Sequence, residues 1–365
     1  MKSDTKKRIE SIDISRGLIV FLSVLLVSIP IKFSGINVHA EWYGITVIDL
    51  IFPAFITIFG TSMAIAYRKG VNRKRLISRT IKMILLGLVY NIIVSWSLDL
   101  STLRFTGVLQ LFAILGVVTV LITRVIKKPG YLIITSLLLF TLHGFFIVQS
   151  ASSCGEKFAE PECSPSSYVD PLIFGENHIY ALGDRGYDPE GIPSMFAALG
   201  NVLLGFAAGQ LILRREKETQ ILLFYTLLVF LFFLIAWQFM PIGKRIWTPS
   251  FGLLTSGVTI LILSGSYMLF DGTSRPPKLL NPIQWFLIAF GRNSFLLYFG
   301  KYLLSSVMKN VTLTINGTEQ SLQTALMRGL ESNTSHPNLY YTGIIFGFWA
   351  VIAVICHWRK WYVKI

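Results

Sequence analysis

The sequence predicts an all-α polytopic membrane protein of about ten transmembrane helices with both termini cytoplasmic, and three observations carry that reading. Hydrophobic residues make up 53% of the 365-residue chain and charged residues 14%, with a mean hydropathy of +0.61, a composition outside the range of soluble domains. The apolar residues come in continuous runs long enough to cross a bilayer. Lys and Arg, which give a net charge of +14, fall in short clusters after every second run, as the positive-inside rule requires. A nucleic-acid partner would want those cations gathered in one arm with aromatics between them, and they are not. The cell membrane is the expected location, the lipid bilayer the first partner, and residues 1–365 a single membrane domain.

In chain order, the basic tail 1–17 is expected in the cytoplasm and leads into Leu18–Ile31. This start also has the form of a signal peptide ending at Val38-His39-Ala40, but Lys32 and the long gap to Ala40 argue against cleavage. Ile45–Tyr67 returns to Arg68, Lys69, Arg73, Lys74, Arg75 and Arg79. Ile81–Trp96 and Val108–Ile122 form the next pair, closing on Arg124, Lys127 and Lys128, before Tyr131–Val148 leads out to the longest polar insertion, 150–193. Ala197–Leu213, Ile221–Trp237 and Phe251–Phe270 follow, with Arg214, Arg215, Lys217, Arg275 and Lys278 inside. Trp285–Leu304 goes out to a second outer loop, 305–338, and Tyr341–Cys356 comes back to His357, Arg359, Lys360 and Lys364.

The alternation puts Cys154 and Cys163 in an oxidising space, where a structural disulfide between them is expected. A zinc site is not, because two cysteines nine apart with one distant histidine lack close-spaced ligand pairs, and no metal is expected elsewhere. Asn310, Asn316 and Asn333 begin Asn-x-Ser/Thr matches in the second outer loop, in mild agreement with its exterior placement.

Chemistry concentrates at the outer mouth of the second span. Ile45–Tyr67 holds one charge, Asp49, in a stretch otherwise apolar enough to cross, and an ionisable residue in such a stretch is expensive to keep without a use. His39 lies just before it, with Glu41, Trp42 and Asp49 as acid partners and aromatic wall for a histidine near neutrality. None of the phosphate-loop, nucleophile-elbow or paired-histidine zinc signatures of soluble enzymes occurs. Polar residues at other span ends, Arg16, Asn91, Arg104, Gln110, Asp188, Glu190, Asn201, Lys244, Arg292, Asn293 and Lys301, each have an ordinary reading as snorkelling cations or interhelical glue. His143 reads as a satisfied histidine between helices.

Six blocks carry a resemblance in order: RIESIDISRG, HAEWYGITVIDLIFPAFITIFGTSMAI, LRFTGVLQLFAI, YDPEGIPSMFAALGNVLLGFAAG, IGKRIWTPSF and GRNSFLLY. Together they resemble the heparan-alpha-glucosaminide N-acetyltransferase family of membrane acyltransferases, in the form of a prokaryotic relative without the lumenal amino-terminal domain. The resemblance implies transfer of an acetyl group from cytosolic acetyl-CoA to the amine of an extracytoplasmic amino sugar such as glucosamine. It implies that His39 is the catalytic residue, as general base or as nucleophile, near the extracytoplasmic face, with Asp49 orienting it. Trp42, Asp188 and Glu190 would then bind the acceptor, and Arg16, Arg79, Arg275, Lys278, Arg292 and Asn293 the nucleotide of the donor. A homodimer is implied by resemblance alone. Three positions depart from the family pattern: Tyr43 replaces an asparagine, Ser28 or Val27 another, and Lys301 a histidine. A second class, a helical-bundle transporter of a small solute, uses the same buried polar groups without chemistry, but no inverted repeat supports it.

Overall fold

The computed structural model describes residues 8–33, 35–214, 218–272, 278–315 and 317–363. Arg215, Lys217, Arg275, Asn316 and Lys364 lie outside the described residues. Thirteen helices and one small hairpin make up the fold: α1 (Glu10–Ser28), α2 (Val47–Ala66), α3 (Arg73–Ser95), α4 (Val108–Val125), α5 (Pro129–Ser153), α6 (Pro165–Phe174), α7 (Ile192–Ile212), α8 (Glu218–Phe239), α9 (Pro249–Phe270), α10 (Asn281–Arg292), α11 (Ser294–Asn310), β1 (Thr312–Ile315), β2 (Thr318–Ser321), α12 (Leu322–Asn333) and α13 (Pro337–Trp358). Among the described residues nine helices are long and apolar enough to cross a membrane. The chain is an all-α polytopic membrane protein.

The expected ninth span, Trp285–Leu304, is two helices. The side chain of buried Asn293 donates to the carbonyl of Ala289, four residues back, at 3.1 Å, and competes with the ladder there, so α10 stops and α11 starts anew. Counting that pair as one crossing, Arg8 and Val363, the outermost described residues, line the same cavity.

The first helix begins earlier than hydropathy suggests. Asp271, at the end of α9, accepts the N–H groups of Glu10 (3.2 Å) and Ser11 (2.7 Å), which satisfies the free donors of a helix start inside the expected tail. The two loops expected outside are also built: 150–193 holds α6, and 305–338 holds the β1–β2 hairpin and α12. Asn310 closes α11 and Asn333 closes α12.

Helices in lipid gain little from burying apolar surface, so close backbone approach does the work. The core helix α7, rich in Ala and Gly, packs along α2, where a Cβ on Gly60 or Gly205 would collide with the carbonyl of Val202 or Thr57. Helices α1 and α10 meet in the same way at Gly17 and Gly291, which brings Asp13 and Arg16 beside Arg292. His143 of α5 is buried with its Nε2 2.8 Å from the Ile246 carbonyl.

Candidate active site

His39 stands on the turn between α1 and α2, and the start of α2 places its partner. Asp49, in the first helical turn, is fully buried; its carboxylate accepts from the N–H of Thr46 (3.1 Å), the hydroxyl of Thr46 (2.9 Å) and the N–H of Ala40 (3.1 Å). A helix N-terminus favours a carboxylate there, so the acid that caps the helix is already ionised and aimed. Its Oδ1 lies 2.6 Å from His39 Nδ1. Glu41 is exposed.

A third group enters from far along the chain. The N–H of Gly44 donates to the carbonyl of Ile242 at 2.7 Å, tying the His39 turn to the segment between α8 and α9. That segment is held in turn by Trp247, whose buried indole N–H donates to Asn201 of α7 at 3.0 Å. Lys244 is thereby brought to 2.9 Å from His39 Nδ1 and 3.1 Å from Asp49 Oδ1. An ammonium has no lone pair and a carboxylate no proton, so the arrangement is satisfied when Nδ1–H donates to Asp49 and Lys244 donates to the same carboxylate. Nε2 is then the basic nitrogen. Burial holds the His39 imidazole below its ordinary value; the Asp49 hydrogen bond opposes this and the Lys244 charge adds to it. Burial likewise lowers Lys244, against the pull of Asp49.

The 150–193 insertion folds over this turn. The indole N–H of Trp42 (2.8 Å) and the hydroxyl of Tyr43 (2.7 Å) both donate to the carbonyl of Ala159, within the loop closed by the Cys154–Cys163 disulfide. Burial pushes the Tyr43 phenol up to about 12, which keeps it a donor. Trp42 also packs edge-on against Tyr187 at 5.1 Å.

Asp188 and Glu190 follow Tyr187 and converge on Arg104, whose Nη2 donates to Asp188 Oδ1 at 2.5 Å and Glu190 Oε2 at 2.6 Å. Asp188, fully buried, also accepts from the hydroxyl of Thr106 (2.5 Å) and the N–H groups of Tyr180 and Glu190 (each 2.9 Å), so its lone pairs are occupied by the fold. Glu190 accepts from Arg104 alone among the described side chains. Burial raises its carboxyl although Arg104 opposes this, and Lys244 is within electrostatic reach. Burial would lower Arg104, but the two carboxylates hold it above its ordinary value.

At the opposite end of the bundle a cavity of about 580 Å³ is lined by Arg8, Arg16, Arg79 and Arg292, with Phe55 and Tyr298 deeper in. Asp13 is the one acid among these cations: Arg8 (2.6 Å), Arg292 (3.5 Å) and Arg16 (3.7 Å) surround it. Among the described residues four guanidiniums stand against one carboxylate, which makes this cleft positive. The structure therefore brings Arg16, Arg79 and Arg292 together and adds Arg8. Lys278 is exposed elsewhere, and Asn293 turns into its own helix.

Sequence reasoning named Lys244 and Arg104 only as span-end cations. The signal that could have singled them out is their place in the IGKRIWTPSF and LRFTGVLQLFAI blocks.

Comparison with known proteins gives this geometry a family. The family model described as heparan-alpha-glucosaminide N-acetyltransferase, catalytic, matches residues 8–234, which include His39, Asp49, Arg104 and Glu190. The human heparan-alpha-glucosaminide N-acetyltransferase is 25% identical over 425 aligned residues, covering 98% of this chain and 60% of the human protein. The mouse protein of the same name is 24% identical over 331 residues, covering 74% of this chain and 50% of its own length. The chain thus spans between half and three fifths of the relatives it matches. With more than half of its residues matched by the family model, this chain belongs to the heparan-alpha-glucosaminide N-acetyltransferase catalytic family.

Proposed function

We propose that the chain is a transmembrane acetyltransferase that moves an acetyl group from cytosolic acetyl-CoA to the amine of an extracytoplasmic amino sugar. The observation that carries this is the His39–Asp49–Lys244 cluster: an imidazole with its Nδ1 proton held by a buried carboxylate and its Nε2 left as the basic nitrogen. An ammonium must lose a proton before it attacks a thioester, and a neutral imidazole suits that task. His39 Nε2 takes the proton as the amine nitrogen bonds the acetyl carbon and the thiolate of CoA leaves. In the two-step form, Nε2 itself bonds the acetyl carbon and CoA leaves as thiolate; the amine nitrogen then bonds that carbon, the Nε2–acetyl bond breaks, and the freed Nε2 takes the amine proton. Asp49 holds the tautomer in both.

The donor enters from the other face. CoA carries several phosphate charges, and the arginine cleft offers Arg8, Arg16, Arg79 and Arg292 for them, with Phe55 and Tyr298 in the same lining as apolar contacts for the thioester arm. On the acceptor side Glu190, with Trp42 and Tyr187 as walls, would receive the sugar, while Asp188 fixes Arg104 and so Glu190.

Purified protein is incubated with radiolabelled acetyl-CoA and glucosamine beside His39→Ala. Transfer that falls by about a hundredfold or more in the variant is the expected result. Neither transfer nor binding of acetyl-CoA by the wild type would move the chain to the transporter class.

A further inference from the structure

A second cavity, of about 320 Å³, opens at the outer end of the bundle between α1, the turn that follows it, α11 and α13. Its lining includes Lys32, Lys301 and Lys309 and, among the described residues, no Asp or Glu. Cations are scarce at the outer ends of spans under the positive-inside rule, so three lysines around one outer cavity call for a local cause. None of the three forms an ion pair among the described residues.

Lys301 is the telling member. It is only 3% exposed, and its Nζ donates to the carbonyl of Ser23 at 2.9 Å and to the Ser23 hydroxyl. It also lies over the rings of Tyr298 (4.8 Å) and Tyr302 (4.6 Å). All of these partners are neutral. Burying an ammonium without a counter-charge is strongly unfavourable, and a carbonyl and two ring faces offset part of that penalty. Asp49, the nearest buried acid along the outer turn, is already held by His39 and Lys244.

The cavity also adjoins the candidate active site. Asn37, two residues before His39, lines it with Ile48, whose neighbour is Asp49, and the N–H of Ile48 donates to the carbonyl of Ile36 at 3.0 Å. A ligand held here lies against the turn that carries His39.

We propose that this cavity binds an anionic group of the phosphate, sulfate or carboxylate class, with Lys301 as its buried counter-charge and Lys32 and Lys309 at its mouth. Compact ammonium charges without acid partners are suited to a tetrahedral or planar oxyanion. Two carriers share that chemistry, an acid substituent on the amino-sugar acceptor and the headgroup of an anionic lipid. In the first case the cavity selects acceptors that bear a negative charge, a consequence that rests on the acetyltransferase reading; the anion site itself does not.

The test uses the full chain in phosphatidylcholine nanodiscs, with thermal midpoints read in sodium phosphate, sodium sulfate and sodium chloride at equal ionic strength. Phosphate and sulfate are expected to raise the wild-type midpoint above chloride, by mass action on the folded state. In an Arg16→Gln, Arg79→Gln background, which removes the arginine cleft's own pull on phosphate, the rise should persist, and Lys301→Met should lose it. The double variant Lys32→Gln, Lys309→Gln, at exposed positions that leave packing intact, should need about tenfold more phosphate. In parallel, glucosamine 6-phosphate is expected to exceed glucosamine in kcat/KM by about tenfold, a preference that shrinks toward unity in the double variant. A rise with phosphatidylglycerol in the nanodisc, and none with inorganic phosphate or the phosphorylated sugar, supports the site with lipid as the carrier. Midpoints that are equal in phosphate, sulfate, chloride and phosphatidylglycerol overturn the proposal. Phosphate binding without acetyl transfer to either sugar leaves the anion site standing and removes the acetyltransferase reading.

Discussion

Lys244 Nζ stands 2.9 Å from His39 Nδ1 across 205 residues of sequence. The contact puts a positive charge beside the face of the imidazole that must stay protonated and uncharged overall. Charged and titratable groups around His39 are Asp49 on its own turn and Lys244 and Arg245 on the segment before α9.

A pH profile reads this directly. Base action requires neutral His39, so kcat/KM falls as pH drops through its pKa, which burial chiefly, and then Lys244, hold below the ordinary 6.5. Removing the Lys244 charge in Lys244→Met moves that acid limb upward by about one pH unit, the scale of a pairwise interaction of about 1.4 kcal/mol. Lys244→Arg keeps the charge and should keep the limb in place. A slower variant whose limb has not moved would show that Lys244 only packs.

The arginine cleft makes a separate prediction. Arg16→Gln and Arg79→Gln each remove a charge-assisted contact to a phosphate and should raise the KM for acetyl-CoA by about tenfold, with kcat little changed. Lys278→Gln, exposed outside the cleft, should leave it unchanged. Isothermal titration with CoA alone checks the binding without chemistry.

Arg104 should govern stability more than rate. Arg104→Gln leaves Asp188 and Glu190 as buried carboxylates without their cation, which destabilises by about 3 kcal/mol. Glu190→Gln keeps a hydrogen-bond acceptor for Arg104 and should instead raise the KM for the sugar. Midpoints of thermal unfolding set beside the kinetics separate the two; equal losses of stability would remove Glu190 from the acceptor site.

The outer loop can be loosened chemically. The Cys154–Cys163 bridge closes a loop of sequence separation 9, and its removal in Cys154→Ser, Cys163→Ser should cost about 2–3 kcal/mol through the freed unfolded chain. Reductant on the wild type should reproduce the shift in unfolding midpoint. A midpoint indifferent to both would mean that Trp42 and Tyr43 hold the loop unaided.

The spans were legible because hydropathy and the placement of basic clusters report the bilayer directly, and α2, α4 and α9 begin within two residues of their expected starts. Hydropathy could not see that α1 extends back to Glu10, since its first backbone N–H groups are taken by Asp271 and its Asp13 carboxylate by Arg8 and Arg292, contacts that only the folded chain makes. It merged α10 and α11 because the break is made by one side chain, Asn293, in an apolar stretch. At the site, the pairing of His39 with Asp49 is local and could be read along the chain. Lys244 and Arg104 could not, because each meets its partners only once distant segments fold together. Among the expected donor-binding cations the limit was similar: the basic clusters can be read along the chain, whereas the meeting of Arg16 with Arg292 depends on the close approach of α1 and α10, and that of Arg79 with both on the packing of α3.

One backbone carbonyl, that of Ala159, accepts from both Trp42 and Tyr43. The insertion and the histidine turn therefore form a single exchangeable cassette rather than two modules. Grafting this insertion onto a relative that carries asparagine at position 43 would strip one of the two clasps from the graft. Recombination intended to change what the site accepts has to draw its crossover points outside both segments, so that residues 42 and 43 travel with the loop they fasten.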